Sequence, residues 1–76
     1  MKVVMSFWIS GENRPYAQRT SDGGDAPDIG DEVRFQGVIY KISHKIWYYD
    51  DQEMYENGGF YTQQRIGYTM IRIKDE

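Results

Sequence analysis

His44 is the only imidazole in this 76-residue chain and there is no cysteine, so carboxylates make up most of the side chains able to do chemistry. A metal ion at His44 would have to be completed by carboxylates, without the second histidine or the thiolates of most transition-metal sites. Ser43 precedes His44, but neighbours on a strand point to opposite faces, so adjacency alone makes no nucleophile and base. The carboxylates fall into two groups. Asp22, Asp25, Asp28 and Asp31 recur at every third position, Glu32 follows, and no basic residue interrupts them. Extended as polyproline II, such a row would place its carboxylates along one side at ~9 Å intervals, much as a nucleic-acid backbone presents its phosphates. Gly23-Gly24 lends that stretch no stiffness, and the alternating acidic positions of a calcium loop are absent. The second group, Asp50, Asp51, Glu53 and Glu56, also contains no basic residue. With no phosphate loop, metal-ligand set or catalytic pattern, the expectation is a non-enzymatic protein with no cofactor and no metal, working by binding.

The elements that position these groups read as β-strands. Ile29 to Asp50 forms a hairpin: Val33 and Phe35 alternate with polar residues, Gln36-Gly37 makes a two-residue turn, and Val38, Tyr40, Ile42, His44, Ile46 and Tyr48 follow at period two. Residues 2 to 10 alternate likewise, with Val3, Met5, Phe7 and Ile9 on one face and Trp8 on the other, where the following loop is expected to cover it. Residues 11 to 30 are rich in Gly, Pro and small polar side chains and read as a long acidic loop, with room for a short edge strand over 16 to 20. A loop of that length is more often functional or mobile than merely connecting.

Between Asp50 and Gln64 two readings stand. Asp50 could cap a single helical turn with Glu53 completing a capping box, or 53 to 56 and 60 to 63 could be the arms of a hairpin around Asn57-Gly58-Gly59. The hairpin is preferred, because Met54, Tyr55, Phe60 and Tyr61 suit strands. In the last segment Ile66, Tyr68 and Met70 share one face and Ile71 and Ile73 the other, which suggests a bend near Gly67. The fold class expected is all-β, a small antiparallel barrel or strongly curled sheet of four to five strands, in one domain spanning 1–76. Its core is expected to comprise Val3, Met5, Phe7, Val33, Phe35, Tyr40, Ile42 and Ile46.

So short a chain without cysteine must be stabilised by packing, aromatic burial or a partner, which leaves room for a homo-oligomer. No apolar run approaches the ~18 residues of a membrane span, and the N-terminus lacks the apolar block of a signal peptide, so a soluble cytoplasmic protein is expected. Twelve acidic against nine basic residues give a net charge of −3, which disfavours general affinity for nucleic acid. Lys41, Lys45, Trp47 and Tyr49 nevertheless share one face of a regular strand and would make a base-stacking strip.

Residues 27 to 50, with P-D-I-G-D-E-V and G-V-I-Y-K-I, together with Phe7-Trp8-Ile9 and Arg14-Pro15, resemble a pattern found in small uncharacterised phage and prophage proteins. The resemblance covers roughly two thirds of the chain and carries no catalytic residue. It implies a mobile-element origin and a protein that occupies a host protein's surface in the host cytoplasm, as anti-CRISPR proteins do. The expected function is therefore non-catalytic inhibition of a host defence protein, one that handles nucleic acid. The contact set would be Asp22, Asp25, Asp28, Asp50, Asp51 and Glu53 with the aromatics Trp47, Tyr49 and Tyr55. A nucleic-acid-binding small barrel and a phage structural or assembly subunit are the alternatives.

Overall fold

The computed structural model describes residues 3–22, 24–56 and 59–75, with side chains for all of these except 49–56 and 59–63. Five strands make one sheet: β1 (Val3–Ile9), β2 (Ala17–Ser21), β3 (Glu32–Phe35), β4 (Val38–Glu56) and β5 (Gly59–Asp75), in the order β2-β1-β5-β4-β3. No helix occurs among the described residues. The short edge strand lies where the loop composition left room for it, so the 11–30 loop is two connections around β2. One pairing departs from the antiparallel expectation, because β1 runs parallel to β5, from Val3 opposite Gln64 to Ile9 opposite Met70. The sheet is therefore mixed.

Curvature follows from ring distances. In the sheet order, β1 and β3 are three strand spacings apart, about 14 Å in a flat sheet. Yet the Phe7 and Phe35 ring centroids are 5.1 Å apart. The edges nearly meet as well, with the Tyr16 ring 5.8 Å from Phe35 and the Arg19 guanidinium 5.5 Å above the same ring. The result is a strongly curled half-barrel whose edge strands, β2 and β3, face each other across side chains and share no backbone ladder. Val3, Met5, Phe7, Tyr40, Ile42, Ile66, Tyr68 and Met70 fill its inner face, where Phe7 stacks on Tyr68 at 4.9 Å. Val33 and Phe35 pack against this core half-buried.

The bend comes from irregularities in the β4–β5 ladder. Ile42 pairs with Met70 and His44 with Thr69, so Ser43 is an extra residue in β4, and its hydroxyl donates to the Thr69 carbonyl at 3.1 Å. One extra residue in one strand bends it and exchanges its faces beyond that point. Lys45 and Trp47 therefore sit opposite the buried Tyr68 and Ile66, while Ile46 is turned outward and 53% exposed. The expectation that Ile46 belongs to the core is corrected by this bulge, and Ile66, Tyr68 and Met70 of the central strand take a larger share. A second irregularity, between Ile39 and Tyr40, leaves Ile73 without a cross-strand partner. Gly67 is not the corner: it is regularly paired with Ser6 on one side and Ile46 on the other.

The Gln36-Gly37 turn forms as expected, with Phe35 opposite Val38 and positive φ at both central residues, 51° and 79°. That is the two-residue turn whose twist matches its strands. Between Asp50 and Gln64 the backbone is a hairpin, with Gln52 opposite Gln63 and Glu56 opposite Gly59. Asn57 and Gly58 lie outside the described residues. Because β1 pairs only with residues 64 to 70 of β5, and β3 only with 38 to 41 of β4, this far part of the hairpin is a two-stranded arm.

Candidate acidic binding surface

The connection from β2 to β3 has to travel from one edge of the sheet to the other, and that journey sets its length. It runs as a strap over the open side of the curl. The Tyr68 hydroxyl, rising from the core, donates to the Pro27 carbonyl at 2.7 Å, and Ala26 packs against the core beneath. The strap then joins β4 through Gly30 N–H to the Ile42 carbonyl at 2.9 Å and Ile42 N–H to the Asp31 carbonyl at 2.9 Å.

Between those anchors the chain makes a tight turn. Asp31 N–H donates to the Asp28 carbonyl at 3.1 Å, and Gly30 at φ 94° supplies the left-handed residue that a type II turn needs. The Asp31 carboxylate accepts from Asp28 N–H at 2.8 Å, and the Asp28 carboxylate from Ile29 N–H at 2.9 Å. At the other end, the buried Ser21 hydroxyl donates to Asp25. The evenly spaced extended row of aspartates is thus not formed, because the turn at 28–31 folds it back. All four carboxylates remain exposed, and the backbone of the strap is tied down from Pro27 to Asp31.

Behind the strap, Lys45 buries most of its side chain, 15% exposed, with its Nζ 3.7 Å from Asp28 and 5.2 Å from the Trp47 ring centroid. An ion pair with one partner largely in water contributes about 0–1 kcal/mol, so its role here is chiefly to orient Asp28. Tyr68, buried beside this group, has its hydroxyl pKa pushed up to about 12, first by desolvation and then by the negative charges of Asp28 and Asp31.

Of the residues expected to meet a partner, the structure brings Asp22, Asp25 and Asp28 onto the strap and sets Trp47, 38% exposed, beside its Lys45 anchor. Asp50, Asp51 and Glu53 belong to strand β4, and with Tyr49 and Tyr55 their side chains lie outside the described residues. The proposed strip of Lys41, Lys45, Trp47 and Tyr49 is not one surface. The Ser43 bulge leaves Lys41, opposite Ile71, on the outer face and puts Lys45 and Trp47 on the inner one. The bulge also revises the view of Ser43 and His44: Ser43 Oγ lies 3.2 Å from His44 Nδ1. Both groups are at the surface of a strand, the hydroxyl is shared with Thr69, and among the described residues no third group orients the ring, so the pair lacks the scaffold of an activated nucleophile. Among the described residues no three metal-ligating side chains converge.

Sequence reasoning missed Lys45 and Tyr68 as the strap's supports. No local signal marks them, since their partners lie 17 and 41 positions away. No family model matches the chain, and no curated protein or solved structure matches it either.

Proposed function

We propose that this protein is a non-catalytic inhibitor from a mobile element that occupies a basic surface of a host protein, in the manner of an anti-CRISPR protein, with the β2–β3 strap as its contact. The observation that carries this reading is the ordering of the strap. Asp28 and Asp31 are held exposed on a turn anchored to Tyr68, Lys45 and Ile42, and Asp25 is held by the Ser21 hydroxyl, so a partner meets charge already in place, with Asp22 exposed beside it. Fixing a loop before binding lowers the entropy cost of association, and a concentrated negative field raises the on-rate toward a positive surface. A nucleic-acid-handling defence enzyme presents such a surface.

The test is capture from host lysate by the parent protein and by a double variant, Asp22→Lys with Asp25→Lys, across a salt series. Asp28 is left alone, because a lysine there would face Lys45. The expected result is a host protein retained by the parent at low salt, released as salt rises, and not retained by the variant, with unchanged far-UV spectra. A partner retained equally by both would remove the strap from the interface.

A further inference from the structure

The strap leaves the outer face of the sheet unused, and that face has the opposite charge. We infer that it is a platform for single-stranded nucleic acid, with bases resting on Trp8 and Tyr48 and phosphates held by Lys41 and Arg65. Both rings approach Gly67: a Cβ built there would lie 3.0 Å from Tyr48 Cε2 and 3.5 Å from Trp8 Cζ3. With no side chain at Gly67, the edges of both rings reach the same stretch of backbone on this face. Tyr48 is 39% exposed, and Ile46 and Ile71, at 53% and 51%, extend the surface along the strands.

The cations adjoin it. The Arg65 guanidinium lies 5.8 Å from the Tyr48 ring centroid, and Lys41 stands opposite Ile71 in the ladder. Register places Arg34 and Lys74 on this face too, and as far along β4 as Tyr48 the acidic residue placed there is Glu32. The net charge of −3 therefore hides two separate surfaces, an acidic strap and a basic, aromatic sheet face.

Charge selects the occupant. A second copy stacked on this face about a two-fold axis would bring the same cations together, and an acidic protein would leave the ring pair without a matching flat partner. Every nucleobase has a flat π face and every nucleotide a phosphate, which is the combination that aromatic sheet platforms with flanking cations hold. Binding of this kind tolerates any sequence and weakens with salt.

The experiment is fluorescence anisotropy of a labelled twelve-nucleotide oligo-dT with the whole chain, at 50 and 200 mM salt, alongside sedimentation to give the oligomeric state. The expected result is binding by a monomer with a log–log salt slope of about −2, for roughly three phosphates neutralised. Tyr48→Ala should weaken it about tenfold, and Lys41→Glu with Arg65→Glu, both at exposed positions, should abolish it. Trp8 is half-buried, so Trp8→Phe serves there as the milder change. The strap variant Asp22→Lys with Asp25→Lys should bind at least as tightly as the parent, so failure of either surface is read separately. No binding at 50 mM salt overturns the inference. So do binding that survives the Lys41 and Arg65 reversals, equal competition by polyglutamate, and a two-fold dimer that buries Tyr48.

Discussion

Tyr48 lies against the backbone of Gly67, with its ring placed where a Cβ at that position would come within 3.0 Å. A glycine inside a strand costs about 0.5–1 kcal/mol relative to alanine, and here the ring covers the bare backbone. Gly67→Ala recovers that entropy but presses the ring outward. Because Tyr48 is part-exposed and its far end can give, the net change in stability should be within about 1 kcal/mol. Gly67→Val has no such escape between Tyr48 and Trp8 and should cost about 1–3 kcal/mol, a typical overpacking penalty. Urea midpoints of the two variants check both figures. Equal losses would mean that the ring does not occupy this position.

Tyr68 joins the core to the strap, so its hydroxyl should be felt in both. Tyr68→Phe removes the bond to the Pro27 carbonyl and should lower stability by about 1 kcal/mol. Amide exchange should quicken in residues 25 to 31 and not in β1. There is a pH signature as well. An unfolded tyrosine ionises near 10, whereas buried Tyr68 is held up to about 12. A group whose pKa is raised by folding stabilises fully below its unfolded value and loses that contribution as pH climbs through the folded one. The parent should therefore lose on the order of 2–3 kcal/mol between pH 10 and 12 through this residue. Melting temperatures of parent and Tyr68→Phe, followed upward from pH 9, should converge and then cross. Parallel curves would show that Tyr68 does not carry the effect. Tyr40, also raised, first by burial, contributes equally to both proteins and cancels.

How much of this was legible beforehand is seen most clearly in β4. Up to Ile42 the alternation of Val38, Tyr40 and Ile42 against Ile39 and Lys41 has one sensible facing, and the core takes it. Past Ile42 the pattern is degenerate: Ile46 and Tyr48 on one parity, Trp47 and Tyr49 on the other, each offering an apolar pair. Which parity turns inward is decided by the bulge at Ser43, and the bulge is set by fitting a bent strand to β5, a partner 27 positions further on at Met70. Strand existence, the Gln36-Gly37 turn and the hairpin arm are local and could be read. The strap's shape could not, since Tyr68 and Lys45 hold it from afar.

That distinction has its own test. Ile42, 1% exposed, and Ile46, 53% exposed, carry the same side chain four positions apart. Ile42→Ala should cost about 2–5 kcal/mol, the usual penalty for emptying a packed site, while Ile46→Ser should stay within about 0.5 kcal/mol. Denaturant midpoints compared side by side decide it. Comparable losses would place Ser43 in regular register and return Ile46 to the core.

Gln36 is the single described residue other than glycine with a positive φ, at 51°. A side chain with a Cβ in that region pays roughly 1–2 kcal/mol, less for asparagine, whose short amide bonds locally. The turn keeps this geometry because Gly37 completes it and the ladder from Phe35–Val38 to Glu32–Lys41 depends on its twist. Gln36→Asn should therefore raise stability by about 0.5 kcal/mol, and Gly37→Ala should lower it by about 1 kcal/mol, since alanine meets at φ 79° the strain that glycine avoids. No atom stands within 4 Å of a Cβ at Gly37, so the loss would report backbone strain alone and not a clash. Thermal melts of the two variants, with the double variant to check additivity, give the answer. A Gly37→Ala protein as stable as the parent would mean that the hairpin turns in some other way.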